Sequence, residues 1–203
     1  MERIKHRVFV SYHHANDQAY KDALVKFGKE YNIFEDYSVD TGDISDDLTT
    51  EQIRETIRDE YLRDSTVTIL LVGTETKHRK YVDWELYSSM YDGKINKKSG
   101  IVVVQLPSTD PSHYTCAHSG EKEKIYPEEK NWTTVTERVE YERRYPYLPD
   151  RIIDNLVNPD CKISVTSWDK LNVGNLSLLI ENAYNDRANC KYDLSRPMRK
   201  RNG

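Results

Sequence analysis

The stretch Thr66–Val72, reading Thr-Val-Thr-Ile-Leu-Leu-Val and closed by Gly73, narrows the possible folds more than any other part of the chain. β-Branched and aliphatic residues fill it with almost no polar alternation, which marks a strand buried in the interior of a sheet. Ile101–Leu106 is a second run of this kind, ended by Pro107. Shorter strands are predicted at Val8–Tyr12, Asn32–Glu35 and Lys162–Val165. Helical periodicity fills the gaps. One helix follows Asn16 and Asp17, which offer caps, and carries Tyr20, Leu24 and Phe27 on one face. Another follows a Thr50 cap and carries Ile53, Ile57 and Tyr61. Further helices are predicted at about Tyr81–Tyr91 and Leu171–Asn189. This alternation specifies an α/β, flavodoxin-like three-layer sandwich, with a five-stranded, mainly parallel sheet covered by helices on both faces.

The rhythm breaks between residues 108 and 150, a stretch too long for an ordinary connection. It reads as a surface insertion with a short helix near Val135–Arg143, within a single domain spanning 1–203. The 203 residues are enough for a full core without disulfides or a structural metal. Cys116, Cys161 and Cys190 are odd in number and widely spaced, as expected of reduced thiols in a cytoplasmic protein. Charged residues make up 32% of the chain, yet the net charge is only −4, which argues against a general nucleic-acid partner. The basic cluster Arg196–Arg201 reads as a solvated tail, and the last dozen residues as frayed. No run approaches the roughly 20 apolar residues of a membrane span, and the first strand follows the N-terminus with no apolar leader.

In open α/β sheets, ligands bind beyond the carboxyl ends of the strands. Glu85 belongs there, early on the helix that follows the Thr66–Val72 strand. Position alone leaves two readings for it: a solvated acid near a favourable helix N-terminus, or a catalytic carboxylate. Trp84 beside it and the small Ser88 and Ser89 on its flank favour the second. The loop after the first strand, Ser11-Tyr12-His13-His14, flanks the same crevice. The His-His pair has no third ligand at a zinc spacing, so no metal is expected. His113, Cys116 and His118 form only a loose set in a polar loop. The acidic loop Asp36–Asp47 holds five aspartates. The phosphoacceptor chemistry of receiver domains needs its aspartate at the end of strand three, where this chain has Leu71-Val72-Gly73. No P-loop, GxGxxG, EF-hand or GxSxG pattern is present.

Val8-Phe9-Val10-Ser11-Tyr12-His13-His14-Ala15-Asn16-Asp17 resembles the opening of the TIR-like domains of bacterial Thoeris antiphage systems. Tyr37–Asp40, Ile53–Arg58, Asp64–Val67, Thr74–Glu85 and Ser99–Pro107 continue the likeness, and Arg151–Leu156 and Trp168 extend it more weakly. The resemblance implies an NAD+-cleaving enzyme with Glu85 as its catalytic glutamate and NAD+ as substrate, without a prosthetic group. It also implies a cyclic or otherwise modified ADP-ribose product that activates a separate effector protein. A phage-derived trigger and self-assembly complete that picture. Within it, Tyr12 or Trp84 would stack on a flat ring of the ligand. Ser11, His13 and Asp36 would contact ribose or phosphate, with Arg79 and Lys80 the nearest cations to the diphosphate. The residues 108–150 would close the site or bind a phage component. The alternative from another class is a non-catalytic TIR-like interaction module. A flavin-binding reading is disfavoured because Tyr12-His13-His14 is too bulky to cradle a phosphate.

Overall fold

The computed structural model describes residues 5–38, 48–94 and 96–203. Strands β1 (His6–Ser11), β2 (Phe34–Asp36), β3 (Val67–Val72), β4 (Gly100–Gln105) and β5 (Ser164–Ser167) form one sheet in the order β2-β1-β3-β4-β5. Every pairing is parallel. Val8 lies opposite Val67 and Ser11 opposite Leu70, so the loops after β1 and β3 leave the same edge side by side. β3 and β4 are buried along their whole length, as their unbroken apolar runs require.

Residues on one strand alternate between the two faces. Val8, Val10, Ile69, Leu71, Val102 and Val104 pack under helices α1 (His14–Glu30) and α7 (Val173–Asp186). On the other face, Leu70, Val72, Ile101 and Val103 meet α3 (Lys80–Met90) and α6 (Asp150–Val157). Phe9 meets Ile53 and Ile57 of α2 (Thr50–Thr56) and the π-helical turn Ile57–Tyr61 that continues it. Short helices α4 (Glu121–Ile125) and α5 (Arg138–Arg144) lie between β4 and α6.

Several boundaries differ from those read in the sequence. α1 starts at His14, so Asn16 and Asp17 fall inside its first turn and do not cap it. Thr49 rather than Thr50 caps α2, in a reciprocal capping box with Gln52. Residues 108–150, read in the sequence as a surface insertion, are anchored to the fold at several points. Ile125 and Tyr126 join one core; Tyr141, Tyr145 and Leu148 join the other, and Thr115 pairs with Val165 along the β5 edge. Its aromatic residues therefore hold the edge of the sheet together.

The basic segment Arg196–Arg201 is a packed strap, not a solvated tail. Met198 is buried against Trp84, and the Arg196 guanidinium bonds both oxygens of Asp154 at 2.6 and 3.0 Å. Asn202 accepts a bond from the Lys80 backbone N–H at 2.9 Å, which satisfies a free donor at the start of α3.

Candidate functional site

Phe9 and Ser11 face the α2/α3 side of the sheet, while Val8, Val10 and Tyr12 face the other. Ser11 therefore points at α3. Its hydroxyl donates to Glu85 Oε2 at 2.6 Å, with both residues buried. Glu85 is only 2% exposed, and this desolvation pushes its carboxyl up to about 8, against the opposing pull of the Ser11 hydrogen bond. Burial thus favours the protonated, uncharged form of the resting acid. α3 lies close to the sheet because small residues line its inner face. Ser89 and Thr68 share a 2.8 Å hydroxyl bond, and Ser88 is fully buried with its hydroxyl unpartnered. The space that the serines leave is thus filled by close packing of helix on sheet.

Further buried polar groups border the same edge. His13, the N-cap residue of α1, has a buried Nδ1 without a hydrogen-bond partner; burial first, then the Arg79 guanidinium, lowers its pKa. Arg79 pairs with Glu75 at 3.3 Å but leaves its Nε unpartnered. Asp17, read in the sequence as a cap, is 5% exposed and lies over Gly73, with Oδ2 unpartnered. Burial raises its pKa, opposed by a hydrogen bond from Thr76, whose hydroxyl also accepts the Gly73 N–H at 2.9 Å. The sequence signal for Asp17 was the glycine that ends β3. A Cβ at Gly73 would stand 2.6 and 2.7 Å from the two Asp17 carboxylate oxygens. Gly73→Ala is therefore expected to cost roughly 1–3 kcal/mol in urea denaturation, and adding Asp17→Ala should recover most of the loss.

The other expected site residues lie elsewhere. Tyr12 is on the opposite face of the sheet from Glu85, where its ring stacks on His14 at 4.4 Å and its hydroxyl donates to Gln18 at 2.6 Å. Trp84, 100° around the helix from Glu85, is 3% exposed among Phe9, Ile53, Ile57, Leu62 and Met198. Its indole N–H donates to the Arg199 carbonyl at 2.8 Å, and Tyr81 meets its ring edge-on. Neither ring offers a free face beside Glu85. Asp36, at the sheet's outer strand, is exposed and accepts the Ser38 N–H at 2.9 Å. The rest of the acidic loop, 39–47, lies outside the described residues.

Among the described residues, no group of three His, Cys, Asp or Glu is placed to hold a metal ion. His113, Cys116 and His118 do not form a site of that kind. His118 bonds Asp186 at 2.7 Å, and burial pushes the Cys116 thiol up to about 12, far from a reactive thiolate. No helix of the described residues is long and apolar enough to cross a membrane. Surface clefts of about 390, 240 and 210 Å³ occur, and none is lined by Glu85.

A five-stranded, all-parallel sheet covered by helices defines a flavodoxin-like α/β protein, here with a buried acid on the helix after its central strand. The sequence model described as Thoeris protein ThsB, TIR-like domain, matches residues 9–111, just over half of the 203-residue chain. The chain belongs to this family. That membership assigns it to antiphage defence, in a system that works through an effector partner. No curated protein matches the chain.

Proposed function

We propose that this protein, acting as one TIR-like unit over residues 1–203, cleaves NAD+ between nicotinamide and ribose, with Glu85 as the catalytic carboxylate. The observation that carries the reading is the buried Glu85–Ser11 pair at the carboxyl edge of β1 and β3 in a chain of the TIR-like family. In this reaction the bond from the ribose C1′ to the pyridinium nitrogen breaks and its electron pair leaves with nicotinamide, which departs neutral. Positive charge is left on the ribose ring, as in glycoside hydrolysis, and a fixed carboxylate beside it lowers the barrier. An acceptor oxygen then attacks C1′ and releases its proton. Water gives ADP-ribose; a hydroxyl of the substrate itself gives a cyclic product. Exclusion of water favours the second, and the sealed surroundings of Glu85 suit it. A cyclic or otherwise modified ADP-ribose then serves as a diffusible signal to the separate effector.

His13 and Arg79 are the groups available to the diphosphate, since each holds a buried nitrogen without a partner. NAD+ is the substrate, and no prosthetic group is needed. The resting state explains why such a protein would stay silent. Its acid is largely protonated and only 2% exposed, and opening of the site by a phage-derived trigger or by self-assembly completes this reading. The positive pyridinium of NAD+ then favours the ionised carboxylate. Before substrate binds, the ionised fraction grows about tenfold per pH unit below about 8, so kcat/KM should climb with pH and level off above it.

The test is incubation with NAD+, with and without extract of phage-infected cells, and mass spectrometry of the products. Nicotinamide release by the wild type and none by Glu85→Gln is the expected result. Turnover indifferent to Glu85→Gln would remove that residue from the mechanism. An absence of turnover under every condition would favour the non-catalytic interaction module.

A further inference from the structure

The cleft of about 390 Å³ lies between the β3–α3 connection, the joint of α5 with α6 and the C-terminal strap. Its charges are unequal. The acids on its walls, Glu142 and Asp150, are engaged: Glu142 with Arg138 at 2.7 Å, Asp150 with Arg138 at 3.6 Å and Arg196 at 3.7 Å. The basic side chains have no carboxylate partner among the described residues. Lys77 has one bond, to the Pro146 carbonyl at 2.6 Å. His78 and Arg199 line the cleft, have no side-chain hydrogen bond or ion pair among the described residues, and both lie beside Gly203. An atom in the Cβ position of Gly203 would be 3.0 Å from Arg199 Nη1 and 3.7 Å from His78 Nδ1. Pro146, Leu148 and Ile153 give the cleft an apolar wall.

We propose that this cleft is a binding site for a phosphate-bearing ligand of nucleotide size, held by Lys77, His78 and Arg199. Guanidinium and ammonium groups left without carboxylates match phosphate oxygens, and the apolar wall matches a flat ring. The volume lies within the range of small-ligand pockets. Glu85 does not line this cleft. A route to α3 nevertheless exists through one residue. The Arg199 backbone N–H donates to Asp83 Oδ2 and its carbonyl accepts from Trp84 Nε1, both at 2.8 Å. A ligand drawing on the Arg199 side chain therefore acts on the two residues that precede Glu85. The binding site stands on the cleft alone; its effect on turnover rests on the function proposed above.

The experiment is calorimetric titration of the full chain with ADP-ribose and, separately, with inorganic phosphate. Wild type, Lys77→Met, Arg199→Gln and Glu85→Gln are compared, with folding followed by circular dichroism. Saturable binding of ADP-ribose by wild type and Glu85→Gln is expected, weakened at least about tenfold by Lys77→Met and by Arg199→Gln. Among the described residues the Arg199 side chain has no bond to lose, so its variant should fold normally. Phosphate binding as tightly as ADP-ribose would identify the phosphate as the whole of the recognised group. No saturable binding of either probe overturns the proposal, as does binding that survives both cleft substitutions. Binding lost in folded Glu85→Gln would place the ligand at the Glu85 site and overturn it too. NAD+ turnover is read separately, so failure of the cleft and failure of the catalytic reading give different results.

Discussion

Glu85→Gln is expected to abolish NAD+ turnover and, in the same protein, to raise the melting temperature at alkaline pH. The two effects have one cause. Burial holds the Glu85 carboxyl at about 8, far above its ordinary 4.5. Between those values the folded protein holds a proton that the unfolded chain has released, so stability falls as pH rises through this window. Below about 4.5 both states are protonated and the full stability is present. Glutamine is nearly isosteric, can accept the Ser11 hydroxyl bond, and has no charge to bury. At pH about 9 the variant should exceed wild type by on the order of 5 kcal/mol, or roughly 10–20 °C in Tm for a chain of this size. At pH about 4 the two should melt together. Ser11→Ala provides the complementary result. It removes the one hydrogen bond that favours the ionised acid, so the pH profile of turnover should move upward without loss of Glu85. Equal Tm values for Glu85→Gln and wild type at both pH values would mean that the buried acid is not neutral at rest. Retained turnover would mean that it is not catalytic.

The parallel sheet was legible because its signal is local: β3 and β4 are unbroken apolar runs, and both form where those runs lie. The position of Glu85 was legible from topology, since the helix that follows the central strand begins at the edge where α/β sheets bind ligands. The Ser11 contact followed from strand order. What escaped depended on facing direction or on long-range contacts. Tyr12 is one residue from Ser11, and the two-residue period of a strand sends it to the opposite face. Trp84 is one residue from Glu85, and the helical period turns its ring into another part of the core. α6 was missed because the buried Arg151 and Asn155 interrupt its apolar stripe; Arg151 is satisfied by Asp83 and the C-terminal strap, and Asn155 in part by Asp193, none of which is near in sequence. The strap at Arg196–Arg201 carries the sequence signature of a solvated tail. Its attachments run largely through main-chain atoms of Arg196, Pro197 and Arg199, which composition does not encode.

Those attachments meet at Arg151, and Arg151→Met is expected to be among the most damaging single substitutions in the chain. The Arg151 side chain is 0% exposed. Its Nε and Nη2 donate to the two oxygens of Asp83 at 2.8 and 3.1 Å. Nη1 also donates to the Arg196 carbonyl at 3.0 Å, Nη2 to the Pro197 carbonyl at 3.3 Å, and the guanidinium lies over the Tyr87 ring. Methionine fills comparable volume and supplies none of these donors. It leaves Asp83 as a nearly buried carboxylate supported by the Arg199 N–H, beside two carbonyls without their guanidinium. Breaking one side of such a pair costs about 3–5 kcal/mol, measurable by urea denaturation. Removing both sides is a different case. A buried ion pair gains little over apolar groups of similar shape, because desolvation offsets most of its attraction. Asp83→Leu combined with Arg151→Met should therefore be more stable than Arg151→Met alone, with a coupling energy of about 1–3 kcal/mol in the double-mutant cycle. In the single variant, hydrogen exchange should also quicken at the Arg199 amide, whose acceptor is the Asp83 carboxylate. If Arg151→Met costs less than about 1 kcal/mol and the double variant gains nothing over it, the pair is not what fastens the strap to α3. Slow exchange at Arg199 in that protein would then assign the strap's hold to Trp84 and Met198.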